Sequence, residues 1–87
     1  MIEYLSWHKK GWDDYLYWVE HSQRHVKRIH DLLKAIMREP FEGIGEPEAL
    51  KYDLAGCYSR RIDGANRIVY KVVGNHVYIV RCRGHYE

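Results

Sequence analysis

No apolar run in this 87-residue sequence approaches the ~18 residues of a membrane-spanning helix, so no helical span is predicted. Met1-Ile2-Glu3-Tyr4 lacks the basic and apolar regions of a secretory signal. Cysteine is scarce. Cys57 and Cys82 are too few for a disulfide framework, and the simplest reading is a reduced, cytoplasmic protein in which both are small core residues. There is no internal repeat, low-complexity tract or linker, so residues 1–87 are expected to form a single domain. A hydrophobic content of 46% excludes a disordered chain. A domain this small buries a modest fraction of its surface, so a partner or a homodimer is expected.

Acid is also scarce in one stretch. Between Arg60 and Arg83 there are six basic residues and one acid, Asp63, whereas residues 1–43 balance at seven basic and seven acidic. Excess positive charge on the C-terminal half suits an anion, although a solvated sheet face has the same composition.

The pattern predicts strand, two helices, then a run of strands. Ile2–Trp7 is a first strand. Trp12, Tyr15, Leu16 and Val19 fall on one face of a helix, with Asp13 and Asp14 expected in its first turn, where the helix dipole favours them. Its aromatic side, with Trp18, is expected to serve as core or as a partner surface. Ser22 is placed to cap a second helix whose apolar stripe is Val26, Ile29, Leu33, Ile36 and Met37, and Pro40 stops it. Residues 41–49 read as a loop and Leu50–Leu54 as a short strand. Tyr58–Ile62, Asn66–Val73 and His76–Arg83 are strands joined by turns at Asp63-Gly64 and Gly74-Asn75. This order predicts an α+β domain with helices packed on a mostly antiparallel sheet. His21 and His25 straddle the break at Ser22, and nothing completes a metal set around them, so no metal or cofactor is expected.

The Asp63-Gly64 hairpin puts an arginine opposite Arg67 in either plausible register: Arg61 with a three-residue loop, Arg60 with a two-residue loop. Like charges opposite one another destabilise a sheet unless an anion or an acid, for which Asp63 is one candidate, compensates them. The last strand passes through Gly84 into His85-Tyr86, which brings an acid/base group and a stacking surface beside arginines. Glu48 and Lys51 add a carboxylate and a cation. Cleaving RNA without a metal needs such a kit: a base for the 2′-OH, a cation for the phosphate, an acid for the departing 5′-oxygen, and a ring on which a base can stack. Residue types alone allow Glu48 and His85 to exchange the base and acid roles. If Gly74-Asn75 is a two-residue turn, Arg67 faces Cys82 and strand alternation separates Arg67 from His85. A longer loop, a bulge or an exit at Gly84 is then needed to reunite them.

Trp12-Asp13-Asp14-Tyr15-Leu16-Tyr17-Trp18, the run Pro40–Lys51, Ser59-Arg60-Arg61-Ile62, Arg67-Ile68-Val69-Tyr70 and Cys82-Arg83-Gly84-His85-Tyr86 together resemble the YoeB-type (Txe/YoeB) toxins of the RelE superfamily. The likeness runs through nearly the whole chain in order and spacing. It implies a toxin of a type II toxin–antitoxin system, with two helices on a curved, largely antiparallel sheet. It implies an endoribonuclease that cuts mRNA in the ribosomal A site, and a homodimer. It also implies a cognate YefM-like antitoxin, through whose complex operator DNA is reached. Position by position, it makes Glu48 the general base, His85 the general acid, Arg67 the transition-state cation and Tyr86 the stacking or orienting ring. Lys51 and Arg61 become supporting phosphate contacts. Glu87 beyond the His-Tyr pair, Cys57-Tyr58 in place of a more aromatic pair, and an N-terminal strand region that, with His8-Lys9-Lys10-Gly11, is about two residues longer than usual depart from the family pattern. The competing reading is a non-catalytic translation inhibitor or DNA-binding autoregulator, which would use the basic sheet but need neither Glu48 nor His85. A third is a degenerate toxin kept only as a complex partner, against which the intact kit argues.

Overall fold

Ser22 divides the helical half of the molecule. In the computed structural model, which describes residues 1–85, helix α1 (Lys9–His21) ends where Ser22 turns extended, and helix α2 (Gln23–Arg38) begins there. The Ser22 hydroxyl accepts from the His25 amide as its N-cap. Helix α2 stops two residues before Pro40. Its stripe of Val26, Ile29, Leu32, Leu33 and Ile36 is buried, each residue contributing about 1.5–3 kcal/mol against exposure.

Strand β1 (Tyr4–Trp7) pairs in parallel with β5 (His76–Arg81). The rest of the sheet is antiparallel, in the order β1-β5-β4-β3-β2, with β2 at Glu48–Ala49, β3 at Cys57–Arg61 and β4 at Arg67–Val73. The helices and one face of the sheet enclose the main core around Ile29, Leu32, Ile36, Ile68, Tyr70 and Ile79. Leu50, Cys57 and Val69 form a smaller cluster. Both cysteines are buried, and burial, reinforced by the nearby Asp14 carboxylate, pushes the Cys82 thiol up to about 12, which suits a core residue rather than a nucleophile.

Helix α1 departs from its sequence reading in three ways. The stripe of Trp12, Leu16 and Val19 faces outward, 39–44% exposed, while Gly11, Asp14 and Trp18 face in. The helix starts at Lys9 with His8 as its N-cap, so Lys9–Gly11 belong to the helix rather than to a longer strand. The first turn therefore holds no acid. Asp13 and Asp14 instead pair with Lys9 and Lys10 one turn back. The inward face is set by close approach: a Cβ on Gly11 would lie 2.8 Å from the Ile79 carbonyl oxygen, so only glycine lets α1 rest on β5.

Leu50–Leu54 is not a strand. The extended pair is Glu48–Ala49, the Leu50 amide still bonds the Cys57 carbonyl at 2.9 Å, and Tyr52, at φ +57°, turns the chain into a 3₁₀ turn over Tyr52–Leu54. The hairpin between β3 and β4 takes the three-residue register, with Ile62 bonded to Asn66 and Arg61 opposite Arg67.

The hairpin between β4 and β5 has the two-residue turn, with Val73 opposite His76. A bulge then inserts one residue: Tyr70 faces Ile79, but Val69 faces Arg81. Beyond it the chain leaves β5 and turns at Gly84, at φ +99°, which only glycine adopts without strain. The extra residue and this exit bring the tail back beside the start of β4, where the Arg67 amide donates to the Gly84 carbonyl at 2.8 Å.

Candidate active site

A cleft of about 420 Å³ opens at the junction of β2, β4 and the tail, lined by Glu48–Tyr52, Arg67 and His85. Four of the six residues singled out from sequence, Glu48, Lys51, Arg67 and His85, therefore meet in one depression. Arg61 stands on the adjoining strand, half exposed, and Tyr86 lies outside the described residues.

Arg67 is the fixed member. Its side chain is 9% exposed, against 61% for Glu48, and its Nη1 donates to the Ser59 hydroxyl at 3.0 Å. The other fork nitrogen, Nη2, lies 3.7 Å from Glu48 Oε2. Ser59 is directly opposite Glu48 in the β2–β3 ladder, so one residue sets the heights of both the arginine and the carboxylate. His85 is exposed at the end of the tail.

The opposed arginines are compensated, but not by Asp63. Glu48 stands beside Arg67, and Glu46 lies 3.9 Å from Arg61. Asp63 instead receives the His25 Nε2 proton at 2.6 Å, the amides of Ala65 and Asn66, and the Asn66 side-chain amide. Partial burial alone would raise its pKa, yet these hydrogen bonds outweigh burial and hold it down at about 2. A carboxylate depressed in the folded state stabilises fully above its unfolded value near 3.8 and loses that contribution as pH falls through about 2. The shift corresponds to ~2.4 kcal/mol at ~1.36 kcal/mol per unit, which solvent screening reduces to about 1 kcal/mol for a side chain 37% exposed. Between pH 5 and pH 2, urea denaturation should therefore show the wild type losing about 1 kcal/mol more than Asp63→Asn. Equal losses would mean the network adds nothing to stability.

Arg60 has a larger structural role than its place in the sequence suggests. It is fully buried, and the acceptors its guanidinium meets among the described residues are carbonyls and a hydroxyl. Its Nη2 donates to the carbonyls of Glu39 and Glu42, its Nη1 to that of Ile44, and its Nε to the Tyr70 hydroxyl. The loop after α2 is thus wrapped around one guanidinium before it delivers Glu48. Gly45 completes the wrap: its φ is +86°, a Cβ there would meet Leu32 at 2.8 Å, and its carbonyl accepts from the Arg61 amide. The surrounding Gly-rich sequence signalled a loop, but not what the loop encloses.

Helix α1 fixes the base of the tail. Asp14, 2% exposed, accepts from the Cys82 amide at 3.1 Å, and Trp18 Nε1 donates to the Cys82 carbonyl at 2.8 Å. Arg83 lies over the Tyr17 ring at 3.5 Å. Arg81 lines a shallower depression with Lys51–Leu54, next to the cleft. His21 and His25 diverge, the first to the Tyr17 carbonyl and the second to Asp63.

Two helices on one face of a five-stranded, mostly antiparallel sheet, with a carboxylate, a seated arginine and a tail histidine around one cleft, define a small α+β protein with an open polar cleft at the sheet edge. The comparisons resolve the family. The family model for the YoeB-like toxin of bacterial type II toxin–antitoxin systems matches residues 7–86. Toxin YoeB of Escherichia coli K12 is 50% identical over 82 residues, covering 94% of this chain and 98% of that protein. The solved YoeB/ParE toxin from Agrobacterium tumefaciens superposes with a TM-score of 0.93 at 43% identity, over 97% of this chain and 100% of that one. A YoeB–YefM complex from Staphylococcus aureus has a TM-score of 0.88 at 41% identity, with 99% of each chain covered. A YoeB dimer from the same organism has a TM-score of 0.90 at 41% identity, over 99% of this chain and 100% of that one. The chain belongs to the YoeB toxin family of type II toxin–antitoxin systems.

Proposed function

We propose that this toxin is an endoribonuclease that cuts mRNA in the ribosomal A site and thereby stops translation. The observation that carries the reading is the meeting of Glu48, Arg67 and His85 from three separate elements on one open cleft. Glu48 takes the proton of the 2′-hydroxyl. The freed oxygen bonds to the adjacent phosphorus while the bond from phosphorus to the 5′-oxygen breaks, and His85 donates a proton to that departing oxygen. The products are a 2′,3′-cyclic phosphate and a 5′-hydroxyl. Arg67 supplies a charged fork to the non-bridging oxygens as negative charge gathers on them. Lys51 and Arg61 hold flanking phosphates, and Tyr86 stacks on or orients the substrate.

The exposure of Glu48 and His85 supports dependence on the ribosome. An open cleft binds single-stranded RNA in many poses, whereas a ribosome that holds the message bent and in line supplies the orientation. The family and the assemblies solved for its members support a YefM-like antitoxin as partner, operator DNA engaged through that complex, a homodimer, and a single toxin domain over residues 1–87 working in the cytoplasm beside ribosomes.

Primer extension on a defined mRNA, with purified toxin and with or without programmed ribosomes, tests this. A sharp break is expected with ribosomes only, absent with His85→Ala, consistent with a general-acid contribution of about 100- to 10,000-fold. Translation inhibited without any break would favour a non-catalytic A-site binder. Equal cutting of free RNA would remove the ribosome from the mechanism.

A further inference from the structure

The tail that carries His85 is held from a second side that the chemistry above does not use. Asn66, half-buried at the end of the β3–β4 hairpin, accepts from the Gly84 amide through its Oδ1 at 2.8 Å. Its Nδ2 donates to both oxygens of Asp63, at 3.1 and 3.2 Å. The next residue, Arg67, takes the Gly84 carbonyl with its own amide at 2.8 Å. Both polar ends of the glycine immediately before His85 are thus bonded to the dipeptide that contains the site arginine. Behind Asp63 stands His25, whose ring lies flat on Trp18 at 4.0 Å and 3° and whose Nδ1 is 2.7 Å from the Ser22 hydroxyl. Trp18 also bonds the Cys82 carbonyl. A strut therefore runs from the start of α2 through His25, Asp63 and Asn66 to Gly84, and its root is stacked on the residue that pins Cys82.

We infer that Asn66 is a positioning residue that, backed by the His25–Asp63 pair, aims His85 at the phosphate held by Arg67; this rests on the nuclease reading proposed above. Gly84 has the conformational freedom that lets the tail leave the sheet, and that freedom must be removed again if His85 is to keep one direction. The Asn66 carboxamide does so by tying the tail to the hairpin that presents Arg67, so that acid and cation share one frame. Its amide donates to Asp63 and its oxygen accepts from Gly84, so alanine breaks both ends of the link. Asn66 itself touches neither RNA nor a transferred proton.

The test has two readouts. In the free toxin, hydrogen exchange of the Gly84 amide should speed up at least ~10-fold in Asn66→Ala, because its acceptor is gone. On saturating programmed ribosomes, single-turnover cleavage should fall roughly 10- to 100-fold, the order expected for a misplaced group, while ribosome affinity stays within about 3-fold. The double variant Asp63→Asn/Asn66→Asp reverses the polarity of the strut and keeps one of the two links between residues 63 and 66, the other oxygen of residue 63 staying with the Ala65 and residue-66 backbone amides. The new carboxylate accepts from Gly84 and from the new amide, and that amide donates to the other His25 tautomer. It should recover cleavage to within about 5-fold of wild type. Wild type that cuts beside Asn66→Ala that cuts within about 3-fold of it overturns this inference alone, as does an unchanged Gly84 amide, a loss expressed as affinity, or no recovery in the double variant. Wild type that cuts nothing refutes the nuclease reading, and this inference with it.

Discussion

Arg67→Ala is expected to slow single-turnover mRNA cleavage on programmed ribosomes by roughly 100- to 1,000-fold, the range for losing a preorganised group that meets developing charge. The guanidinium is already desolvated and aimed. Ser59 holds one nitrogen, and the other points toward Glu48 at a distance too long for a good hydrogen bond. That gap leaves Nη2 able to turn to a phosphate oxygen without first breaking a strong ion pair. Arg67→Lys should recover no more than about 10-fold, because an ammonium cannot keep Ser59 and engage two phosphate oxygens as a planar fork does. Quench-flow with end-labelled mRNA gives the rates, and thermal melting checks that each variant is folded. A folded Arg67→Ala toxin cutting within about 3-fold of wild type would remove Arg67 from the chemistry.

Arg60→Met should cost about 3–5 kcal/mol of stability, the range for breaking a buried charged network. Methionine replaces much of the stem but offers no donor, so the carbonyls of Glu39, Glu42 and Ile44 lose their charged partner together. A domain of this size has only about 5–10 kcal/mol to lose, so the midpoint of urea unfolding should fall by about half with its slope unchanged. The same loop leads into β2, so folded Arg60→Met should also cleave more slowly, through a displaced Glu48. A loss below about 1 kcal/mol would mean that water replaces the guanidinium at those carbonyls.

These two arginines, on the paired strands of one hairpin, mark the limit of what local pattern reveals. Period-2 alternation sends neighbours to opposite faces, so the Arg60-Arg61 pair and Arg67 could be recognised as important without knowing which one points inward. The three-residue Asp63–Ala65 loop settles it locally: Arg61 faces Arg67, and Arg60 turns into the core. The outward stripe of α1 shows the same limit. Trp12, Leu16 and Val19 satisfy a helical period as well as a buried face would, and only the contact of Gly11 with β5 determines that Asp14 and Trp18 point inward.

What the chain determines by itself is local. Ser22 ends one helix and caps the next, Pro40 stops the second, Asp63-Gly64 and Gly74-Asn75 mark turns, and Glu48, Arg67 and His85 are the side-chain types that the proposed chemistry needs. Each depends on a few neighbouring dihedrals or on side-chain type, so the string of residues suffices. The meeting of those groups is tertiary. Glu48 reaches Arg67 because β2 pairs with β3 at Ser59, and His85 reaches them because the bulge after Ile79 and the exit at Gly84 reverse an alternation that would have kept it away. An inserted bulge residue costs ladder hydrogen bonds and is stabilised by what packs against it, here Gly11 behind the strand and Asp14 and Trp18 at Cys82. Those residues lie some seventy positions earlier in the chain, a separation over which no local preference acts and only packing decides.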